Sequence, residues 1–192
     1  NKRAWEFVFD CVNLTELDYR NIDLSTEIAD WLVEKLEDKN DVNIIEILLK
    51  NVQINQTDTD NGHMNQGTLI FDSFDYKIRD QYSHWNRSTS NHHFLWDLIA
   101  IAPSDCNLHI SLKRENITHV HMEEYDYKTV PYLPRKIFKL NNMISFSSYT
   151  YGARIDEIPM GIQNLKNLEI LNLRDCSLSE IPIGICYLKN LK

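Results

Sequence analysis

"NLKNLEILNLRDCSLSEIPIGICYLKNL", Asn164 to Leu191, contains nearly the same phrase twice: "NLKNLEIL" opens it and "YLKNL" restarts it at Tyr187. Leu165, Leu168, Leu171, Leu173, Leu178, Ile181 and Ile185 mark the first phrase, and Leu188 and Leu191 reopen it with the same three-residue step. The "LEILNL" portion alternates as a half-buried strand does. Pro182 cannot donate to a sheet, so the chain is predicted to turn after Ile181. A unit of this kind has an apolar side that it cannot bury alone, and it is expected to stack on others like it.

The same grammar recurs upstream. "NITHVHMEEYDYKTVPYLPRKIFKL" places Ile117, Val120, Met122, Tyr125, Tyr127 and Val130-Pro131 at the matching points. "KLNNMISFSSYTYGARIDEIPMGI" is looser. It comes into phase with one extra residue before Ile144 and about four more after Tyr151, which sets Phe146 opposite Met122 and Leu173 and makes Ile158-Pro159 the turn. Three units follow, spanning 114–187. The predicted strands contain Val120 to Met122, Ile144 to Phe146 and Leu171 to Leu173, parallel and stacked in that order.

These residues resemble the leucine-rich repeat family, whose pattern LxxLxLxx(N/C)xL is followed by a turn such as IPxxI. The resemblance implies an α/β solenoid with parallel strands on a concave face and helices or short turns on the convex face, with repeats of about 23 residues over 114–192. It also puts Cys176 at the family's Asn/Cys position, as a small buried group with a weak S–H donor.

Two earlier segments, read as strands, repeat with a longer period of about thirty residues. Leu14, Leu17, Tyr19, Ile22 and Leu24 echo Ile44, Ile47, Leu49, Val52 and Ile54. Between them Ser25 is a candidate N-cap, and Ile28, Trp31, Leu32 and Leu36 form one apolar helical face. This resembles the longer, ribonuclease-inhibitor-like class of repeat over 12–55, with Ile22 and Val52 where that class carries Asn. The whole chain 1–192 reads as one domain: longer repeats over 1–55, irregular repeats or an inserted loop region over 56–113, and the shorter repeats over 114–192, left unfinished at Lys192. Within the middle, "NQTDTDNGHMNQG" reads as a loop, "TLIFDSFDY" as a strand and "FLWDLIAIAP" as a short helix or buried strand.

Charge and composition narrow the function. A formal net charge of −8 argues against nonspecific nucleic-acid binding, which depends on excess Lys and Arg. No apolar run is long enough to span a membrane. Four cysteines, Cys11, Cys106, Cys176 and Cys186, are too few and too irregular for a disulfide framework, which favours a reducing, cytoplasmic setting over the one implied by sequons at Asn13, Asn55, Asn86 and Asn116.

Alternation along the strands also yields a candidate surface. The residues beside the inward pairs are His119, His121 and Glu123; Met143, Ser145 and Ser147; and Ile170, Asn172 and Arg174. These nine are predicted to face outward as one patch that binds a protein partner. His119, His121 and Glu123 have donor types that suit zinc, with His92, His93 and His109 as further donors, but solvated recognition residues are the simpler reading. The stretch around Asp58, Asp60 and Gly62 lacks the ligand spacing and closing Glu of a calcium loop. No phosphate-binding glycine loop or nucleophile motif is present. Neither cofactor nor metal is expected, and no enzyme activity. The resemblance also admits a sensing or substrate-recognition part of a larger protein, such as an immune-type switch ATPase or a ubiquitin-ligase effector, with a metal-dependent enzyme built on His119 and His121 as a third reading. The unfinished last repeat predicts self-association through the C-terminal end.

Overall fold

A computed structural model describes residues 2–17, 22, 24–50, 68–72, 89–108, 113–124, 133–150, 155, 157–174 and 176–192. Three helices come first: α1 (Lys2–Asp10), α2 (Thr26–Lys39) and α3 (Val42–Leu49). Strand β1 (Thr68–Asp72) and helix α4 (Thr89–Ile101) follow. Strands β2 (His119–Glu124), β3 (Ser145–Thr150) and β4 (Ile170–Arg174) then alternate with 3-10 turns at Ile137–Lys139, Met160–Asn164 and Ile183–Tyr187. The strands form one all-parallel sheet in the order β1-β2-β3-β4. Among the described residues, no helix is long and apolar enough to cross a membrane.

The helix expected after Ser25 is present, with Ala29, Leu32, Val33 and Leu36 buried and Ile28 and Trp31 packed beside them. Ser25 stands at its N-cap without a side-chain cap bond. Asn40 ends the helix in the left-handed region at φ 49°, which Asn tolerates better than most residues. The chain reverses there directly into α3, whose first turn is capped by Asp41 accepting from the Ile44 amide at 3.2 Å.

That third helix corrects the sequence reading. Ile44, Ile47 and Leu49 were expected on a strand equivalent to Leu14–Leu24, and they lie on α3 instead, with Ile45 and Leu48 also buried. A continuous apolar run suits either structure when it is buried on all sides, and here the Asn40-Asp41 turn selects the helix. Val52 and Ile54 lie outside the described residues, as do residues 55–67, expected from the sequence to form a loop, and Tyr125, Tyr127 and Pro131.

Helix α4 is the shaft of the molecule. Every residue from His93 to Ala102 is buried, as expected of a helix without a polar face. It packs on α2, on α3 and on the turn Ile137–Lys139. Its buried stretch holds two polar residues, His93 and Asp97, and the Asp97 Oδ2 and Oδ1 accept the backbone N–H groups of Arg135 (3.2 Å) and Lys136 (2.6 Å). The side chains of those two residues reach back to α2: Arg135 pairs with Asp30 at 3.0 Å and Lys136 with Glu37 at 2.8 Å, where Lys139 also binds. A single turn of chain is thus tied to two helices.

Beyond that turn the structure repeats. Leu140, Leu165 and Leu188 each donate their amide to the carbonyl of the isoleucine three residues before, Ile137, Ile162 and Ile185. Met143, Leu168 and Leu191 close the next turn on those same leucines. Counting back from the isoleucines reaches Pro134, Pro159 and Pro182, so Pro134 rather than Pro131 is the equivalent of the later prolines. The register also corrects the looser unit: Phe146 pairs with Val120 and Leu171, and Ser148 with Met122 and Leu173. No extra residue precedes Ile144. A buried serine at a position held by Leu in the next strand disguised the match.

The asparagine of the repeated "KNL", which stands as "NNM" at 141–143, has its own role. Asn142, Asn167 and Asn190 each donate a side-chain N–H to a carbonyl one unit earlier, those of Glu115 (2.7 Å), Asn141 (3.2 Å) and Lys166 (2.8 Å). The acceptor is the residue immediately before the preceding unit's asparagine, counting Asn116 as the first. The turns stack as tightly. A Cβ on Gly161 would lie 3.3 Å from Phe138 Cβ, and one on Gly184 would lie 2.8 Å from the Ile162 γ2 methyl.

Cys176 is half-buried rather than enclosed, with its thiol 3.8 Å from the Arg174 carbonyl. The buried thiol is Cys106, pushed up to about 11 by desolvation and then by the Glu46 and Asp105 carboxylates.

Two outcomes follow from this packing. Gly184→Ala should lower stability by about 1 to 3 kcal/mol, since the β-branched methyl it meets cannot swing away, whereas Asn167→Ala should cost about 1 kcal/mol for one exposed hydrogen bond; urea melts of the two variants test the order. The second concerns Asp97, which burial raises from 3.8 to about 6 against the pull of the Lys136 amide and His93. The folded chain therefore holds this proton more tightly than the unfolded chain. The corresponding stability is present below about pH 4 and lost as pH rises through about 6, a swing of roughly 3 kcal/mol. Urea melts from pH 4 to 7 should show that this component disappears in Asp97→Asn.

Candidate functional site

The parallel register arranges the predicted surface residues in rows. Thr68, His119, Ser145 and Ile170 form the first, Ile70, His121, Ser147 and Asn172 the second, and Asp72, Glu123, Tyr149 and Arg174 the third. Neighbouring strands of a sheet run about 4.8 Å apart, so each row is a continuous line across four strands. The positions between them supply the core: Val120 and Phe146 are buried, and Leu171 and Leu173 pack against them. Phe146 meets Phe138 of the turn below edge to face, with ring centroids 6.1 Å apart.

Burial distinguishes the two faces. Along β4, Ile170, Asn172 and Arg174 are exposed and alternate with half-buried Leu171 and Leu173. On β3, Ser145 and Ser147 are half-buried while Phe146 and Ser148 are enclosed. His119 is half-buried on β2, and its Nδ1 lies 2.9 Å from the Thr118 hydroxyl. That contact fixes the ring near the start of the strand and leaves Nε2 as the other polar atom of the imidazole.

Of the nine predicted residues, eight lie in these rows and one does not. Met143 is fully buried. It belongs to the apolar series Ile117, Met143, Leu168 and Leu191, which follows from the corrected register of β3. Tyr149 takes the place in the third row that the sequence reading left to the shifted unit. Strand β1 adds a fourth column, Thr68, Ile70 and Asp72, which periodicity alone could not assign because β1 is separated from β2 by a helix rather than by a repeat-length turn.

The proposed histidine donors separate. His92 and His93 lie on α4, where His93 is buried and acts electrostatically on Asp97 and Asp30, while His119 and His121 lie on β2; His109 is outside the described residues. Among the described residues, no group of three or more His, Cys, Asp or Glu side chains is placed to hold a metal ion. The Asp30, His93 and Asp97 cluster is a second concentration of titratable groups. Asp97 accepts the backbone N–H groups of Arg135 and Lys136 and Asp30 pairs with the Arg135 side chain, which makes the cluster a joint between helices and turns.

On β4 the rows end in exposed Ile170, Asn172 and Arg174 over half-buried Leu171 and Leu173. Compared with known protein families, with curated proteins and with solved structures, the chain matches none.

Proposed function

We propose that this chain is a leucine-rich-repeat recognition module that binds a protein partner through the open face of its sheet, without catalysis of its own and in the cytoplasm. The observation that carries the reading is the register: His119, Ser145 and Ile170, then His121, Ser147 and Asn172, then Glu123, Tyr149 and Arg174, fall opposite one another across strands more than twenty residues apart in sequence. The asparagine bonds and the glycine contacts between successive turns support the repeat assignment, because each recurs at the spacing of the strands. The four free thiols support a reducing compartment.

Recognition on such a face works by complementarity. Ile170 offers an apolar anchor, Arg174 and Glu123 supply charges of opposite sign at the far end of the rows, and the serines between them leave room for a partner's larger side chains.

The test separates binding from folding. Replacing His119, His121, Glu123 and Arg174 together with Ala should abolish partner capture from cell extract, read by quantitative mass spectrometry, and cost far less stability than the loss of a core side chain. Phe146→Ala, by contrast, should cost about 3 to 5 kcal/mol, because it empties the centre of the core. Capture that survives the fourfold substitution and is lost instead on changing Gln163 and Lys189, on the turn side, would remove recognition from the open face.

A further inference from the structure

Bonds within the repeat stack and bonds from the stack to the helices differ in chemistry. Within the stack, backbone amides close the turns and the Asn142, Asn167 and Asn190 side chains join the units, and none of these groups titrates. Between the helices and the first turn, carboxylates make the bonds. Asp97 of α4 accepts the Arg135 and Lys136 amides, Asp30 of α2 pairs with the Arg135 guanidinium, and Glu37 of α2 holds the Lys136 and Lys139 ammonium groups. His93 stands four residues before Asp97 on α4, one helical turn away. Both are only 4% exposed, and His93 acts electrostatically on Asp97 and Asp30 alike.

We propose that Asp97, with His93 and Asp30 beside it, is a proton-operated clasp: residues 134–136 are held to α4 while Asp97 keeps a proton, and they are released locally, with the stack intact, when that proton is lost.

The geometry sets a charge where water does not reach it. An ionised Asp97 has the two backbone N–H groups and His93 in its favour, and burial and the Asp30 carboxylate against it. Hydrogen bonds from neutral amides offset only part of the cost of taking a carboxylate out of water. The cations of the neighbouring turn are committed elsewhere, Arg135 to Asp30 and Lys136 with Lys139 to Glu37. Glu34 of α2 adds further negative charge around Asp30, and Glu46 of α3 is engaged by the Asn107 amide at 2.5 Å.

A proton on Asp97 removes its repulsion from Asp30 across the contact between α2 and α4. It also leaves a carbonyl oxygen to accept the shorter of the two bonds, that from the Lys136 amide at 2.6 Å. Burial accordingly raises Asp97 from 3.8 to about 6 while the clasp is closed. Released into water the carboxyl returns towards its ordinary value, so the closed form binds the proton more tightly and closing weakens about tenfold between pH 5 and pH 7. The amide bonds of the stack have no proton to lose over that interval.

Amide hydrogen exchange on the whole chain, read by NMR and corrected for the intrinsic pH dependence of exchange, tests the clasp. Protection of the Arg135 and Lys136 amides should fall about tenfold from pH 5 to pH 7, while that of the Leu165 and Leu168 amides, which donate within the stack, stays level. In Asp97→Asn the step should vanish. His93→Gln removes a favourable charge and should move the midpoint of the step to higher pH, whereas Asp30→Asn removes an opposing one and should move it lower; these two shifts decide the matter if Asp97→Asn does not fold. Protection at Arg135 and Lys136 that stays level with pH, a step shared equally by Leu165 and Leu168, a step that survives Asp97→Asn, or midpoints unmoved by the His93 and Asp30 substitutions would overturn the proposal.

Discussion

No unit of this sheet can bury its apolar side within itself, and the rest of the architecture follows from that constraint. A strand such as Ile170–Arg174 with one 3-10 turn is too thin to enclose Leu171, Leu173 and Leu188. Each is covered only when another unit lies alongside, so what is selected in sequence is the step between units: the same Leu-to-Ile turn bonds, an asparagine that reaches back one unit, and a glycine where two turns must approach. Those elements cost little individually. Together they fix spacing and register, and the register is what aligns the rows of the open face.

A stack of this kind needs a first layer, and the helices provide it through α4. The join is made by a buried carboxylate rather than by apolar packing alone. Asp97 accepts two backbone N–H groups that would otherwise be left at the start of the turn before Ile137, and Arg135 and Lys136 carry the connection on to Asp30 and Glu37 of α2. Removing the Asp97 charge from water is unfavourable, as its raised pKa indicates. What the charge contributes is direction: two hydrogen bonds at defined angles place the first turn in a way that interchangeable apolar contacts do not. The open face inherits its position from this joint.

The two ends of the stack differ for the same reason. At its first turn Ile137, Phe138 and Leu140 are sealed between α4 and the next unit, and burial then weakens towards Ile185 and Leu191. Ile181 is exposed where its equivalent one unit earlier, Ile158, is buried, whereas Ile183 and its equivalent Met160 are both exposed.

Much of the stack was legible in the sequence. Strand order, parallel direction, the inward Val120 of β2 and the inward pair of β4 follow from apolar spacing, because a repeated unit must place the same side chains in the same layer. The helix after Ser25 was legible for a similar reason, an apolar face at helical spacing. Three features were decided only by tertiary contact. Ser148 occupies a core register because its neighbours on β2 and β4 enclose it, which shifted the sequence alignment and sent Met143 wrongly to the surface. The run Ile44–Leu49 is helical because burial on all sides removes the alternation that marks a strand, leaving the Asn40-Asp41 turn to choose. Asp97 reads in sequence as one acid in an apolar stretch, and its role appears only when the fold brings the Arg135 and Lys136 amides to it, 38 and 39 residues later. Periodicity records what a residue shares with its neighbours in the chain, whereas a buried polar contact between distant segments leaves no period to read.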